Sequence, residues 1–245
     1  MRRKIINWII VMCVIFIPFL YSCQNDMVIE NESISDTEML AAMSETTIRK
    51  MLNQMFDKKG SNLTDKQWNK LLDEMTALLQ GYEKLQSLAN FICSKSGKVK
   101  FVINPNASFL NPDQPAAYSK WDRNITVLSE NDLTGYKLLH EFLHFGQHIY
   151  YSDLPNRSAR NIEFEVAVII DLLNNNTVEG YKGMYYEPVK MQAYWAWMKD
   201  LRLNGVAELY RFNTLAEGFS LYANKTFDPD FTPFFLRAVW FLNGY

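Results

Sequence analysis

Histidine and cysteine are scarce in this chain, and neither sign of charge is in excess. The 245 residues include three histidines and three cysteines, and 25 basic residues stand against 27 acidic ones, a formal net charge of -2. Binding to nucleic acid requires concentrated positive charge, so we expect no nucleic-acid partner. Hydrophobic residues make up 48% of the chain, which is enough for a sizeable core and argues against disorder of the whole.

The three cysteines leave no pair for an internal disulfide bond in the folded body. Cys13 and Cys23 both lie close to the N-terminus, and Cys93 stands alone in the apolar segment "LANFICSK". A single thiol among apolar neighbours is typical of a buried, unreactive side chain. We therefore expect the hydrophobic core to hold the fold together, and we expect no catalytic cysteine.

The N-terminus has the pattern of an export signal. The basic start "MRRK" precedes the apolar run "IINWIIVMCVIFIPFL", which leads to "LYSC", Leu20 to Cys23. This ending resembles the bacterial lipobox, where the signal is cut before a cysteine that becomes lipidated. The resemblance implies a lipoprotein signal peptide over residues 1–22 and lipidation of Cys23. An uncleaved membrane anchor is the alternative, because the run is only slightly shorter than the about 20 apolar residues that span a bilayer.

An acidic segment follows this signal. Residues 23–44 contain five acidic residues and no basic one, which predicts a flexible tether. The segment resembles the acidic stretch that follows the lipidated cysteine in lipoproteins of Bacteroidota. The resemblance implies a protein that is exported and lipid-anchored in the bacterial cell envelope, at the outer membrane and exposed on its outer face.

The rest of the chain, residues 45–245, is predicted to form one α+β domain in which helices dominate. Helical spacing is clearest after Thr64, which begins a capping box with Gln67 and precedes apolar residues at helical spacing from Trp68 to Leu85. The segment "GKVKFVINPN" alternates as a strand, and "AAYSKWDRNITVL" predicts two strands joined by a tight turn. We therefore expect a small antiparallel sheet before the helix that contains the histidines. Four later helical segments are predicted within residues 160–176, 188–205, 213–224 and 231–243.

All three histidines lie in one stretch, "LLHEFLHFGQHIY". On a helix that begins near Asn131 or Asp132, His140 and His144 share one face and lie opposite the apolar stripe. Two histidines at i and i+4 offer their nitrogens in register to one Zn²⁺ ion, and Glu141 at the flank can take a proton from a water on the metal. These residues satisfy the pattern HExxH. The alternative is the solvated face of an ordinary amphipathic helix.

This pattern resembles that of the zincin metallopeptidases, and among them the gluzincins, in which a glutamate on the next helix is the third zinc ligand. Eighteen residues separate His144 from Glu163, and the spacing HExxH-x18-E recurs in gluzincin aminopeptidases. Glu165 is the alternative ligand, although the helical wheel favours Glu163. The resemblance implies one Zn²⁺ per chain held by His140, His144 and one of these glutamates, with Glu141 as general base and a peptide or protein as substrate.

The third histidine does not fit the same ion. His148 lies about 12 Å along a straight helix from His140, so we expect it outside the ligand set. A metzincin-like continuation, HExxHxxGxxH, fails because Gln147 and Tyr150 occupy the places of its glycine and third histidine. Asp171 is instead a candidate to orient a ligand histidine by a hydrogen bond.

Two other functions stay open from the sequence. One is a zinc hydrolase that cleaves a bond other than a peptide bond. The other is a non-catalytic surface lipoprotein that binds a partner through its aromatic-rich C-terminal half, including "MQAYWAWMKD" and "FTPFFLRAVWFLNGY". In a peptidase, an oxyanion-stabilising group is also needed, and the candidate tyrosines are Tyr181, Tyr185, Tyr186 and Tyr194.

Overall fold

The computed structural model of the protein describes residues 43–151, 157–174, 188–204, 208–219 and 224–240. The predicted signal peptide, Cys23 and nearly all of the predicted tether lie outside these ranges. Within them, no helix has both the length and the apolar character needed to cross a bilayer.

Helices dominate the described residues and accompany one small sheet, which confirms the α+β class. The first elements are α1 (Glu45–Met55), α2 (Asp65–Gly81), α3 (Glu83–Ser94), β1 (Lys100–Ile103), β2 (Ala116–Ser119) and β3 (Asn124–Val127). A 3₁₀ turn (Glu130–Asp132) then precedes α4 (Gly135–Tyr150), α5 (Ala159–Leu173), α6 (Pro188–Asn204), α7 (Leu209–Glu217) and α8 (Phe234–Trp240).

The first two helices begin at hydroxyl side chains. Ser44 Oγ accepts the backbone N–H of Thr47 at the start of α1. Thr64 and Gln67 form the predicted capping box at the start of α2, with side chain and backbone bonded in both directions. These bonds satisfy N–H groups that have no partner inside their helices.

The apolar spacing from Trp68 to Leu85 predicts one continuous helix, and this prediction is wrong. The backbone is extended at Tyr82 (φ -142°, ψ 102°), so α2 ends before it and α3 begins directly after it. The carbonyl of Leu79, in the last turn of α2, accepts the N–H of Tyr82 at 3.3 Å and also Nε2 of the buried Gln86 at 2.9 Å. Gln86 on α3 thus bonds to the end of α2 across the break.

The sheet is mixed, whereas the sequence predicts an antiparallel one. β2 and β3 form the predicted hairpin, whose tight turn holds Arg123 at a positive φ of 49°. β1, however, pairs with β3 in parallel, so the strand order is β1-β3-β2. Alternation of apolar residues cannot distinguish these directions, because it is the same in parallel and antiparallel strands. β2 forms an edge of this sheet, on the side that packs against α4.

The histidine helix α4 starts at Gly135 and not near Asn131 or Asp132 as predicted. The Thr134 hydroxyl caps it by accepting the N–H of Lys137. Asp132 does not cap the helix; its carboxylate instead accepts a hydrogen bond from the Lys137 ammonium group at 2.5 Å. The predicted start of α4 is therefore wrong by a few residues, and burial extends beyond the predicted apolar stripe to Glu141 and Gln147.

α5 is the most enclosed helix near α4. Twelve of its 15 residues are buried, and it packs against α4, α6, α7 and α8. A helix covered on nearly every side has little solvated surface for charged residues. Any carboxylate that points inward from it must therefore be satisfied by hydrogen bonds or lose its charge.

The aromatic side chains of the C-terminal half largely fill the core. Buried aromatic residues after α5 are Tyr194, Trp197, Phe212, Phe219, Phe231 and Phe235. The predicted helix over 213–224 is displaced, because α7 spans Leu209–Glu217 and Gly218 follows it. These buried rings are not available to a partner, while Tyr210 on α7 is 81% exposed.

Candidate metal centre

Two packed helices bring three potential metal ligands together. α4 carries His140 and His144 one turn apart, and α5 carries Glu163. The Nε2 atoms of the two histidines lie 3.0 Å apart, and each is 3.2 Å from Glu163 Oε2. Their side chains are 29%, 12% and 23% exposed, respectively. The three ligand atoms thus form a small triangle that solvent can reach.

The size of this triangle fits a tetrahedral ion. Zinc bonds to nitrogen and oxygen of about 2.0–2.2 Å, at tetrahedral angles, place neighbouring ligand atoms about 3.3–3.6 Å apart. The observed separations of 3.0 to 3.2 Å are slightly shorter, so a small outward movement of the side chains would admit the ion. Two imidazoles and one carboxylate also leave a fourth position for water or substrate. His140, His144 and Glu163 therefore form a group that can hold a metal ion.

The three side chains interact strongly with one another. Burial lowers the pKa of His144, but the charge and hydrogen bond of Glu163, together with the charge of Glu141, raise it to about 9. Burial raises the pKa of Glu163, but His144 and His140 hold it well below its usual range. In the absence of a metal, the raised pKa favours the charged form of His144, and a metal at Nε2 would displace the proton from that nitrogen.

Glu141, the predicted general base, is held against the edge strand β2. Its Oε2 accepts the backbone N–H of Tyr118 at 2.6 Å, and the residue is 8% exposed. The Tyr118 hydroxyl lies 2.6 Å from Nδ1 of His148. β2 is thus fixed to α4 at two points, and the Glu141 charge lies close enough to His144 to raise its pKa. The carboxylate of Glu141 therefore lies within electrostatic range of the group formed by His140, His144 and Glu163.

A cleft of about 440 Å³ opens beside this group. His144 and Glu163 form part of its wall, and the turn after β2 and the start of α5 form other parts. At its rim, Phe109 and Trp121 are 63% and 76% exposed. A volume of this order can accommodate part of a peptide or a small molecule.

Glu165, the alternative ligand, lies on the closed side of the contact between α4 and α5. It is fully buried, its Oε1 accepts from the Tyr151 hydroxyl at 2.9 Å and from the N–H of Leu236 at 2.8 Å, and its Oε2 accepts from Gln147 Nε2 at 2.7 Å. Burial raises the pKa of Glu165 to about 7, against the lowering effect of these bonds. The group of potential metal ligands, which consists of His140, His144 and Glu163, does not include Glu165.

Other candidate residues lie away from the group. His148 bonds to Tyr118, as described above. Asp171 accepts the hydroxyl of Tyr194 at 2.7 Å, so it does not orient a ligand histidine, and Tyr194 is buried in the core. The other three candidate tyrosines lie outside the described residues: Tyr181, Tyr185 and Tyr186.

Two side chains at the site had no role in the predictions from the sequence. Tyr118 is an alternating strand residue with no feature that points to Glu141. Gln147 entered only as a departure from the metzincin pattern, yet it is fully buried one turn after His144. A glutamine at that position of a helix must find hydrogen-bond partners if it is buried, and that was the available signal.

Comparison of the chain with models of protein families, with curated proteins and with solved structures finds no match.

Proposed function

We propose that the protein is a zinc-dependent hydrolase, a metallopeptidase that cleaves peptide bonds with a water activated at the site of His140, His144 and Glu163. The observation that carries this proposal is the triangle of ligand atoms with sides of 3.0 to 3.2 Å, next to a buried carboxylate and a cleft. The resemblance of this HExxH helix and its following glutamate to those of the gluzincins supports the same conclusion.

The metal ligands, Glu141 and Tyr118 would have different roles in peptide hydrolysis. A zinc ion in this site would lower the pKa of a coordinated water to near 7 and polarise the substrate carbonyl. Glu141 would accept a proton from the water as its oxygen bonds to the carbonyl carbon, and would then deliver that proton to the amine nitrogen as the C–N bond breaks. The Tyr118 N–H, which bonds Oε2 of Glu141, holds the carboxylate in place for both transfers.

The protein's place in the cell is part of the same proposal. The lipobox-like "LYSC" and the acidic residues after it support an exported lipoprotein anchored through Cys23 in the cell envelope. A peptidase at that place would meet exogenous peptides or envelope proteins. Replacing Cys23 with alanine should move the protein from the membrane fraction to the soluble fraction, and an unchanged membrane association would contradict lipidation.

Catalysis by Glu141 is tested with purified protein loaded with zinc and an unfolded, fluorescently labelled protein as substrate. The wild type should produce fragments, a chelator should stop cleavage, and added zinc should restore it. Glu141→Gln should retain zinc but cleave about 10²–10⁴-fold more slowly, because it lacks the general base.

The matched control is Glu217→Gln, which changes an exposed glutamate at the end of α7 and should leave cleavage unchanged. Full activity of Glu141→Gln would contradict its role as base. A wild-type protein that binds zinc but cleaves no peptide bond would contradict the peptidase assignment.

A further inference from the structure

The side chain of Gln147 links the metal-ligand group to the closed side of the α4–α5 contact. Its Oε1 lies 2.8 Å from His144 Nδ1, and its Nε2 lies 3.1 Å from the carbonyl oxygen of Ile162 and 2.7 Å from Glu165 Oε2. Both atoms near Nε2 are acceptors, so the amide orientation follows from its neighbours: Nε2 donates to them, and Oε1 points at the histidine.

This orientation decides which nitrogen of His144 carries the proton. An amide oxygen can only accept a hydrogen bond, so Nδ1 of His144 must be the donor. When the imidazole is neutral, its other nitrogen, Nε2, then has a free lone pair. Nε2 is the atom that lies 3.0 Å from His140 Nε2 and 3.2 Å from Glu163 Oε2, where a metal ion would bind.

The orientation of Gln147 is set by Glu165 together with the Ile162 carbonyl. The Glu165 carboxylate accepts three hydrogen bonds, two at Oε1 from Tyr151 and Leu236 and one at Oε2 from Gln147. Because every group that faces its oxygens is a donor, Glu165 acts as an acceptor toward the NH₂ end of the glutamine. Gln147 and Glu165 are both fully buried, so bulk solvent does not reach these bonds.

We propose that Glu165 and Gln147 are positioning residues that hold His144 in the Nδ1–H form and thereby set the affinity of the site for zinc. Glu165 is thus the second carboxylate of the site, acting through Gln147 and not as a ligand. This proposal rests on the proposed zinc site but not on its catalytic use.

We call the chain of hydrogen bonds from Glu165 through Gln147 to His144 the relay. The change Glu165→Gln replaces the acceptor that faces Gln147 with a donor and changes the side-chain volume little. Its oxygen would still accept from Tyr151 and Leu236, which places its NH₂ group against the NH₂ group of Gln147. This contact favours turning Gln147 over, at the cost of its bond to the Ile162 carbonyl, and its own NH₂ would then face Nδ1 of His144. This favours the Nε2–H form, which cannot bind a metal at Nε2.

The exchange variant Glu165→Gln with Gln147→Glu restores the direction of the two bonds between side chains, from position 165 to 147 and from His144 to 147, and gives up the bond to the Ile162 carbonyl. The amide at 165 would donate to the carboxylate at 147, and that carboxylate would accept the Nδ1 proton of His144. A carboxylate behind a ligand histidine is a favourable partner in zinc sites. A purely structural role for Glu165 gives no reason for this second change to rescue the first.

Zinc affinity is measured by competition with a chromophoric chelator for the wild type, Glu165→Gln and the exchange variant. The single variant should bind zinc about 10–100-fold more weakly, and the exchange should return the affinity to within a few-fold of the wild type. Tyr151→Phe is the control: it removes a hydrogen bond from the same carboxylate without reversing Gln147, so it should lower the melting temperature but preserve zinc affinity.

A second readout follows the three histidines by ¹⁵N NMR in metal-free protein at a pH where they are neutral. His144 should carry its proton on Nδ1 in the wild type and in the exchange variant, and on Nε2 in Glu165→Gln. Unchanged zinc affinity in Glu165→Gln, or no rescue in the exchange variant, overturns the relay. A wild type that binds no zinc overturns the proposed function instead, and the NMR result still decides whether the relay exists.

Discussion

The two glutamates of α5 that lie two residues apart occupy opposite surroundings. Glu163 faces two histidines beside a cleft, is 23% exposed in its side chain, and has a pKa held below its usual range. Glu165 is fully buried, accepts three hydrogen bonds, and has a pKa raised to about 7. The same residue type thus lies on an open side and on a closed side of one helix contact.

The difference distinguishes residues that can bind a metal from residues that hold the ligands in position. On the open side, the groups that bond to one another are all possible ligands, and an incoming cation can replace their mutual contacts. On the closed side, every bond of Glu165 is to a donor from the protein: the Tyr151 hydroxyl, the Leu236 N–H or the Gln147 amide. A metal ion could therefore bind on the open side, beside Glu163. The bonds of Glu165 on the closed side instead hold the helices and the side chains behind the metal ligands in place.

The largest effect is expected on the open side. His144→Ala should abolish stoichiometric zinc binding, because it removes one of three ligands at the least exposed corner of the triangle. The matched control is His148→Ala on the same helix, which removes a histidine that bonds to Tyr118 and should retain one zinc per chain. Metal analysis after gel filtration measures both. Zinc retained by His144→Ala and lost by His148→Ala would reverse the assignment of the ligands.

A smaller effect is expected from adding a methyl group at Gly146 of α4, where the helix packs closely against its neighbours. An added Cβ at Gly146 would lie 2.9 Å from Phe235 Cζ and 3.2 Å from Leu88 Cδ1, so Gly146→Ala should lower the free energy of unfolding by about 1–3 kcal/mol. Gly81→Ala is the control, because nothing lies within 4 Å of its Cβ position. Urea denaturation should show the loss only for Gly146→Ala. Equal stability of the two variants would contradict close packing of α4 against α8.

The third effect, on the pH dependence of stability, concerns Asp171, the third acid of α5. Burial raises its pKa to about 7, against the hydrogen bond from Tyr194 and the charge of Arg202. Between the ordinary range of an aspartate and pH 7, the folded chain keeps a proton that the unfolded chain releases, so this group loses stabilising effect as pH rises through that window.

The variant Asp171→Asn lacks this titration. Relative to wild type, it should therefore gain at least about 1 kcal/mol of unfolding free energy between pH 5 and pH 8. Urea denaturation of both proteins with a chelator present measures the difference at each pH. A difference that stays constant with pH would mean that Asp171 does not carry a raised pKa.

Local patterns in the sequence predicted much of this architecture. The Thr64–Gln67 capping box and the β2–β3 hairpin depend on residues within a few positions of one another, and the i, i+4 spacing alone placed His140 beside His144. These features require no knowledge of the rest of the fold.

Contacts between distant segments could not be predicted in the same way. The parallel pairing of β1 with β3 leaves no trace in the alternation of either strand. The bond from Tyr118 to Glu141 joins residues 23 positions apart. A helical wheel favoured Glu163 by its face, but the distinct role of Glu165 depends on Leu236, 71 residues further along the chain.

The most direct test of the metal centre is X-ray absorption at the zinc edge of the zinc-loaded protein. The account predicts one tightly bound zinc with two imidazole ligands and oxygen ligands in the remaining positions, at about 2.0–2.2 Å. Glu163→Gln should alter the spectrum directly. A zinc bound by sulfur from Cys93, a spectrum with no imidazole, or no retained zinc would contradict the account.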